Sequence, residues 1–217
     1  MAQIFRRRSN AIVKVALVAV VFVPVAALVF AGVMARSRYT NDIGLTPDQP
    51  VPFSHQHHVG GLGLDCRYCH TGVEEAAFAG VPPTHTCMTC HSQLWTNAEM
   101  LRPVRESLAR DEPIAWNRVT NLPDYVYFNH SVHVENGVGC TTCHGPVDKM
   151  PLMQKAEPMT MQWCLDCHRD PAKNLRAPED VFATNWNSAD GKIHGHERLK
   201  RYGIDPAKLT DCSTCHR

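Results

Sequence analysis

The cysteines of this 217-residue chain fall into one repeated pattern. Five segments read Cys-x-x-Cys-His, and together they use all 10 cysteines. In chain order, which defines the first to fifth motifs, the cysteines are Cys66 and Cys69, Cys87 and Cys90, Cys140 and Cys143, Cys164 and Cys167, and Cys212 and Cys215, and the histidines are His70, His91, His144, His168 and His216. No cysteine is left for a disulfide or for a free nucleophilic thiol.

The spacing of this motif suits covalent attachment of c-type heme. Two cysteines three positions apart can form thioethers with the two vinyl groups on one edge of a porphyrin, and the histidine that follows binds the iron as proximal ligand. Zinc ribbons and thioredoxin-like dithiols also use Cys-x-x-Cys, but neither requires a histidine after each second cysteine. The sequence therefore predicts five c-type hemes with their iron, and no catalytic residues of another kind.

A second repeated pattern supplies candidate distal ligands. Phe-x-His-x-x-His-Val occurs at residues 53–59 and again at 128–134. Histidines three positions apart lie on the same side of a helical turn. We predict that His55, His58, His130 and His133 bind iron, and two ligands on one turn can serve two different irons.

The pattern leaves the fifth distal ligand open among several side chains. Met161, three residues before the fourth motif, is the first choice, and His85, His194 and His196 are the alternatives. A methionine ligand would raise the reduction potential of its heme above that of the bis-histidine sites. His57 departs from the repeated frame and is expected to be solvated.

The motifs divide the chain into predicted modules. Two di-heme modules are expected at about 50–95 and 125–170, and the fifth site lies alone at 212–216. Five porphyrins are too many for this length of chain to enclose separately, so they are expected to pack near one another and to form much of the core.

The fold class predicted for this domain is mainly α with long loops. Residues 97–109 have apolar side chains at helical spacing, with Pro103 near the start, and predict an amphipathic helix. Asp205 and Pro206 predict the start of a second short helix. No convincing strand pattern is present. The stretch around His194 and His196 is rich in glycine and charge, and predicts an exposed loop.

The N-terminus predicts a membrane anchor at residues 1–36, with the domain 37–217 on the other side. Residues 15–35 carry no charge and span roughly 31 Å as a helix, enough for a bilayer core. A cleavable signal peptide is the rival interpretation, but its apolar region is usually shorter. Arginines 6 to 8 precede the helix, so the positive-inside rule keeps the N-terminus in the cytoplasm. The domain would then be periplasmic, held at the cytoplasmic (inner) membrane.

The net charge of +1 argues against a nucleic-acid-binding protein, which would be markedly basic. Rival functions are a membrane-anchored multiheme quinol dehydrogenase that oxidises quinol itself, and a catalytic multiheme reductase. The first needs a quinol pocket, and the second needs an iron with an open coordination position. The abundance of histidines favours electron transfer without catalysis.

The residues around the motifs resemble known families. His55 and His58, placed before the first motif, resemble the arrangement of class III multiheme cytochromes. The segments 80–91, 122–150, 161–171 and 209–217 resemble the pentaheme cytochrome subunit of alternative complex III.

This resemblance implies class III-like heme packing and a role in a quinol-oxidising membrane assembly of the respiratory chain. The implied partners are an iron–sulfur protein subunit, polytopic quinol-binding subunits and a monoheme cytochrome c. The implied role is to relay electrons to a periplasmic cytochrome c or to a terminal oxidase.

Overall fold

The computed structural model describes residues 6–216 and divides the chain into two compact units, 1–43 and 44–217. Residues 1–5 and 217, at the ends of the predicted anchor and domain, lie outside the described residues. The helices are α1 (Arg7–Ala35), α2 (Cys66–Cys69), α3 (Thr84–His91), α4 (Arg102–Arg110), α5 (His130–Glu135), α6 (Cys140–His144), α7 (Met161–Arg169), α8 (Ser188–Arg201) and α9 (Cys212–Cys215). A π-helical turn covers Gln56–Gly61, and short 3₁₀ turns cover Glu99–Leu101, Val147–Lys149, Ala172–Asn174 and Pro178–Asp180.

The first unit is dominated by α1, which runs through Pro24 without interruption. Polar side chains just beyond the helix satisfy its last carbonyls: Thr40 Oγ1 donates to Met34 O at 2.7 Å, and Asn41 Nδ2 donates to Ala35 O at 3.2 Å. Within residues 6–216, α1 is the helix long and apolar enough to cross a membrane, although a signal sequence would meet the same criterion.

In the second unit, the Cys-x-x-Cys segment of each motif forms a helical turn. This geometry places both sulfurs on one side of the turn, as attachment to one porphyrin edge requires. Local capping explains where two of these helices begin. Asp65 accepts a hydrogen bond from the Arg67 amide at 2.8 Å, and Thr160 Oγ1 accepts one from the Trp163 amide at 3.4 Å.

The amphipathic helix predicted at 97–109 is confirmed as a 3₁₀ turn followed by α4. Proline is tolerated in the first turn of a helix, which is where Pro103 lies. The helix ends at Arg110, and the next residue, Asp111, has a left-handed backbone with φ 53°. Leu101 and Val104 pack against Val51 in a small apolar cluster.

The predicted loop around His194 and His196 is wrong, because these residues lie within α8. The glycines that suggested a loop, Gly191 and Gly195, are buried where α8 packs on the 172–174 turn. A methyl group at either position would overlap the backbone of Lys173 or Ala172. They are one helical turn apart and allow the two segments to approach closely.

The short helix predicted from Asp205 is also wrong, since residues 206–210 form turns. The Asp205 and Pro206 carbonyls accept hydrogen bonds from amides three positions on. The next carbonyls are taken by other partners: Lys208 O accepts from Thr214 Oγ1, and Leu209 O accepts from His168 Nδ1. In a continued helix, these carbonyls would instead accept hydrogen bonds from backbone amides four positions on.

The part of the chain that the structure describes contains no strand, only an isolated bridge between Val138 and Leu175. The mainly helical fold class is therefore confirmed. Buried apolar side chains among the described residues are few: Val51, Val73, Leu101, Val104, Val147, Met150, Ala172, Leu175 and Val181. The protein component of this unit thus supplies a sparse hydrophobic core.

Candidate heme-binding sites

The phenylalanine of each Phe-x-His-x-x-His frame holds both histidine rings. Phe53 stacks on His58 with ring centres 4.4 Å apart and meets His55 edge-on at 4.9 Å. Phe128 repeats this arrangement, at 4.5 Å from His133 and edge-on at 4.7 Å from His130. The sequence pattern revealed the repeat but not this function of the aromatic ring.

Hydrogen bonds to backbone carbonyls orient most of the predicted histidine ligands. Because a carbonyl can only accept, each bond places the proton on Nδ1 and leaves the Nε2 lone pair free for a metal. The pairs are His58 with Ser54 O, His70 with Gly80 O, His91 with Leu94 O, His130 with Ala77 O, His133 with Asn129 O, His168 with Leu209 O and His216 with Tyr125 O, at 2.7–3.1 Å. Backbone acceptors carry no side-chain signature, so sequence reasoning could not find them.

Three predicted distal histidines face three predicted proximal ones. The ring centres are 6.3 Å apart for His58 and His91, and 6.4 Å apart for His130 and His144. His133 and His168 are 6.1 Å apart. A metal–imidazole nitrogen bond is about 2.0 Å long, so two rings on opposite sides of one metal have centres roughly 6 Å apart. The spacing of these pairs fits one iron between each two rings.

The remaining predicted distal histidine, His55, lies near His70, and both residues are half-buried. Burial, followed by the proximity of His70, lowers the pKa of His55 to about 4. His55 Nδ1 is buried without a hydrogen-bond partner, which is unfavourable for a polar atom unless another group is present. A prosthetic group with polar atoms at its periphery fits this position.

Burial also keeps other predicted ligands neutral. It lowers the pKa of His144 to about 4, with a further contribution from nearby His130, and it lowers the pKa of His133. A neutral imidazole retains the lone pair that a metal requires. These rings are therefore ready to bind iron across the physiological pH range.

The other histidines lack these features. His57 is exposed and stacks on Trp95 with ring centres 5.8 Å apart. His85, His194 and His196 are also exposed, and His194 Nε2 lies 4.0 Å from Asp190. Within residues 6–216, none of these four rings donates from Nδ1 to a backbone carbonyl, in contrast to seven of the nine predicted histidine ligands.

The fifth motif differs from the others in its surroundings. The ring packed against His216 in the described chain is that of Tyr125, with centres 5.9 Å apart. Met161 is the first residue of α7 and its side chain is largely exposed. Since Met161 precedes Cys164 by three positions, both lie on one side of α7. The role of Met161 as a distal ligand stays a prediction.

A buried arginine, which sequence reasoning missed, supports the third motif. Arg176 is 1% exposed, and its guanidinium donates to Thr141 Oγ1 at 2.6 Å and to Thr142 Oγ1 at 3.2 Å. It also stacks over Trp186, 4.5 Å from the ring centre. A side chain at Gly139 would overlap the guanidinium. The only sequence signal was an arginine between two prolines in a polar segment.

Closed metal sites of the zinc type are not seen among residues 6–216, where no three His, Cys, Asp or Glu side chains converge on one point. The histidine rings instead face one another in pairs. Such a pair would hold the iron of a heme, and the porphyrin would supply the remaining ligands.

Comparison with known proteins agrees with this geometry. A family described as "Cytochrome c7 and related cytochrome c" matches residues 126–217. The multiheme cytochrome c subunit of menaquinone reductase from Nitratidesulfovibrio vulgaris is 30% identical over 170 residues, which are 78% of this chain and 68% of that protein. Both descriptions are of c-type cytochromes.

Proposed function

Because this chain belongs to the family of multiheme c-type cytochromes that includes the menaquinone reductase subunit, we propose that it is the electron-transfer subunit of a membrane quinone oxidoreductase. A c-type heme supplies one-electron oxidation and reduction at its iron. Five such hemes, one at each motif, would let the chain pass electrons singly without catalysing a reaction of its own.

The spacing between facing histidine rings is the main observation that supports this proposal. In three pairs, the ring centres are 6.1–6.4 Å apart, and neighbouring backbone carbonyls fix the tautomer of most rings. Iron with two axial histidines has no open position for a substrate, which favours electron transfer over catalysis. Class III-like packing follows if each His-x-x-His turn serves two hemes.

We assign the distal ligands to motifs from these pairs. His55 would serve the first motif, His58 the second, His130 the third and His133 the fourth. For the fifth motif we retain Met161, because it lies on the same side of α7 as Cys164, which is close to Cys215. Small rotations of exposed side chains are fast, so its exposure does not prevent such a role.

The resemblance to alternative complex III gives the finer proposal. Quinol would be oxidised at polytopic subunits, and each quinol would yield one quinone, two protons and two electrons. The electrons would pass through an iron–sulfur subunit and this chain to two one-electron acceptors. Those acceptors would be molecules of a periplasmic cytochrome c, including a monoheme cytochrome of the same complex, or a terminal oxidase.

The name of the N. vulgaris relative favours a second candidate, in which electrons flow in the opposite direction and reduce menaquinone. The two candidates share the same subunit role and differ in the direction of flow. A third alternative is that the chain oxidises quinol itself. In all of them, α1 would anchor residues 1–36 in the inner membrane and hold residues 37–217 on the periplasmic side.

Purification from membranes tests the proposal. The intact mass of the denatured chain should equal the polypeptide plus five porphyrins, and iron–sulfur and polytopic subunits should copurify. Reduction of the complex by quinol supports the alternative complex III-like direction, whereas oxidation of the reduced complex by menaquinone supports the second candidate. Rapid reduction of the isolated chain by quinol would identify it as the quinol dehydrogenase, and a mass equal to the bare polypeptide would refute all three.

A further inference from the structure

The first and second motifs are neighbours in space. Tyr68, inside the first motif, forms a 2.9 Å hydrogen bond with Thr89, inside the second. The Cys69 side chain also lies near Cys87. His58, which faces the second motif, lies in the π-helical turn, and His55, which lies near His70 of the first motif, immediately precedes that turn. Direct side-chain contact and a shared ligand turn therefore join these two sites.

The first and third motifs are also neighbours, although their equivalent residues, such as His70 and His144, are 74 positions apart in the chain. The Cys66 and Cys140 side chains lie near each other. Gln56, next to the first distal histidine, donates from its amide to Met150 O at 2.9 Å. His130, which faces the third motif, donates to Ala77 O in the loop after the first motif at 2.8 Å.

The third and fourth motifs are joined by α5. Its two histidines face these motifs, with ring separations of 6.4 Å to His144 and 6.1 Å to His168. In addition, Cys143 lies near both cysteines of the fourth motif. Two independent contacts thus place the third and fourth sites side by side.

The fifth motif is joined to the fourth. His168 of the fourth motif donates to Leu209 O, three residues before the fifth motif, at 2.8 Å. Cys164 lies near Cys215. The fifth motif also contacts the segment leading into α5, where the Tyr127 amide donates to Cys215 O at 2.9 Å. Its nearest neighbours therefore belong to the fourth site and to the segment before α5.

From these contacts we infer that the five sites form one row in the spatial order second, first, third, fourth, fifth, which differs from their order along the chain. The second and fifth sites are the two ends. Cys90 and Cys212, one in each end motif, are exposed, whereas the other eight cysteines are half-buried. Redox partners therefore exchange electrons with the row at these two ends. The inference rests on the proposed function, that each motif holds a heme.

A density map of the full-length chain in its membrane complex tests the order, because each porphyrin can be traced to its own pair of cysteines. We expect the porphyrin of the second site to be nearest to that of the first site, the first to be next to the third, the third next to the fourth, and the fourth next to the fifth. A map in which the first site lies at an end, or in which the second site is nearest to the third, would overturn the order.

Solvent access provides an independent readout. In NMR spectra of the ferrous full-length protein, a soluble paramagnetic chelate should broaden porphyrin signals of the second and fifth sites more than those of the other three. Stronger broadening at the third site would contradict the assignment of the ends. If a motif carried no porphyrin, the proposed count of five would fail, and the neighbours of the remaining sites would still test the order.

Discussion

Replacement of His133 by alanine should open one iron to exogenous ligands. The His133 ring is buried, is held by Phe128 and by a 2.7 Å hydrogen bond to Asn129 O, and faces His168 at 6.1 Å. No other histidine ring among residues 6–216 lies against His168 in this way. Without His133, the fourth iron would have one protein axial ligand and would become high-spin.

The size of the effect follows from the number of motifs. With five hemes of similar absorbance, about one fifth of the heme should change from low-spin to high-spin and bind carbon monoxide when reduced. Absorption and electron paramagnetic resonance spectra of the full-length protein in detergent would measure this fraction. Porphyrin content by mass should stay the same, because the thioethers do not involve His133.

His57→Ala is the matched control. His57 belongs to the first Phe-x-His-x-x-His segment, but its ring is exposed and stacks on Trp95. We expect this variant to remain fully low-spin and to bind no carbon monoxide. If His133→Ala behaved in the same way, with its porphyrins intact, the ring distance would not report ligation and the assigned pairs would be wrong.

Three further predictions concern stability and targeting. Gly195→Ala should destabilise the fold by about 1–3 kcal/mol, because its methyl group would overlap the Ala172 carbonyl, whereas Gly61→Ala has space and should shift the thermal midpoint little. Hydrogen bonds from Arg198 and, to a lesser extent, from Trp186 lower the pKa of Asp190, so its ionised carboxylate stabilises the fold above about pH 4, and this contribution is lost as the pH falls through the lowered pKa. The thermal midpoints of the wild type and of Asp190→Asn should therefore differ at pH 7 and converge in acid. A difference that stayed constant with pH would contradict this prediction. N-terminal sequencing of the membrane-bound protein should recover residues that precede the apolar helix, and a start just after it would favour the signal-peptide interpretation.

Local sequence patterns could predict individual elements and candidate ligands, but not how the motifs are arranged in space. Short-range rules were sufficient for α4, because its apolar spacing and the proline in its first turn involve residues only a few positions apart. The repeated histidine frame also has a local explanation, since His58 and His133 each donate to a carbonyl four positions earlier.

The remaining features depend on contacts between distant segments. The glycines of α8 suggested a loop, because glycine is a poor helix former. They are needed because the backbone of the 172–174 turn packs directly against them and leaves no space for a side chain. Likewise, the acceptor of His130 is Ala77 O, a backbone atom 53 positions away. No local pattern encodes such a partner, so the spatial order of the motifs could not be predicted from their order in the chain.

The scarcity of buried apolar side chains has a consequence for biosynthesis. A chain whose own interior is so small gains little free energy from collapsing before its prosthetic groups are attached. Unattached polypeptide would stay open to proteases, so the cellular abundance of this protein would follow the supply of porphyrin and the capacity of the attachment machinery. Starving cells of iron should thus deplete the protein itself after translation, with its messenger RNA unchanged.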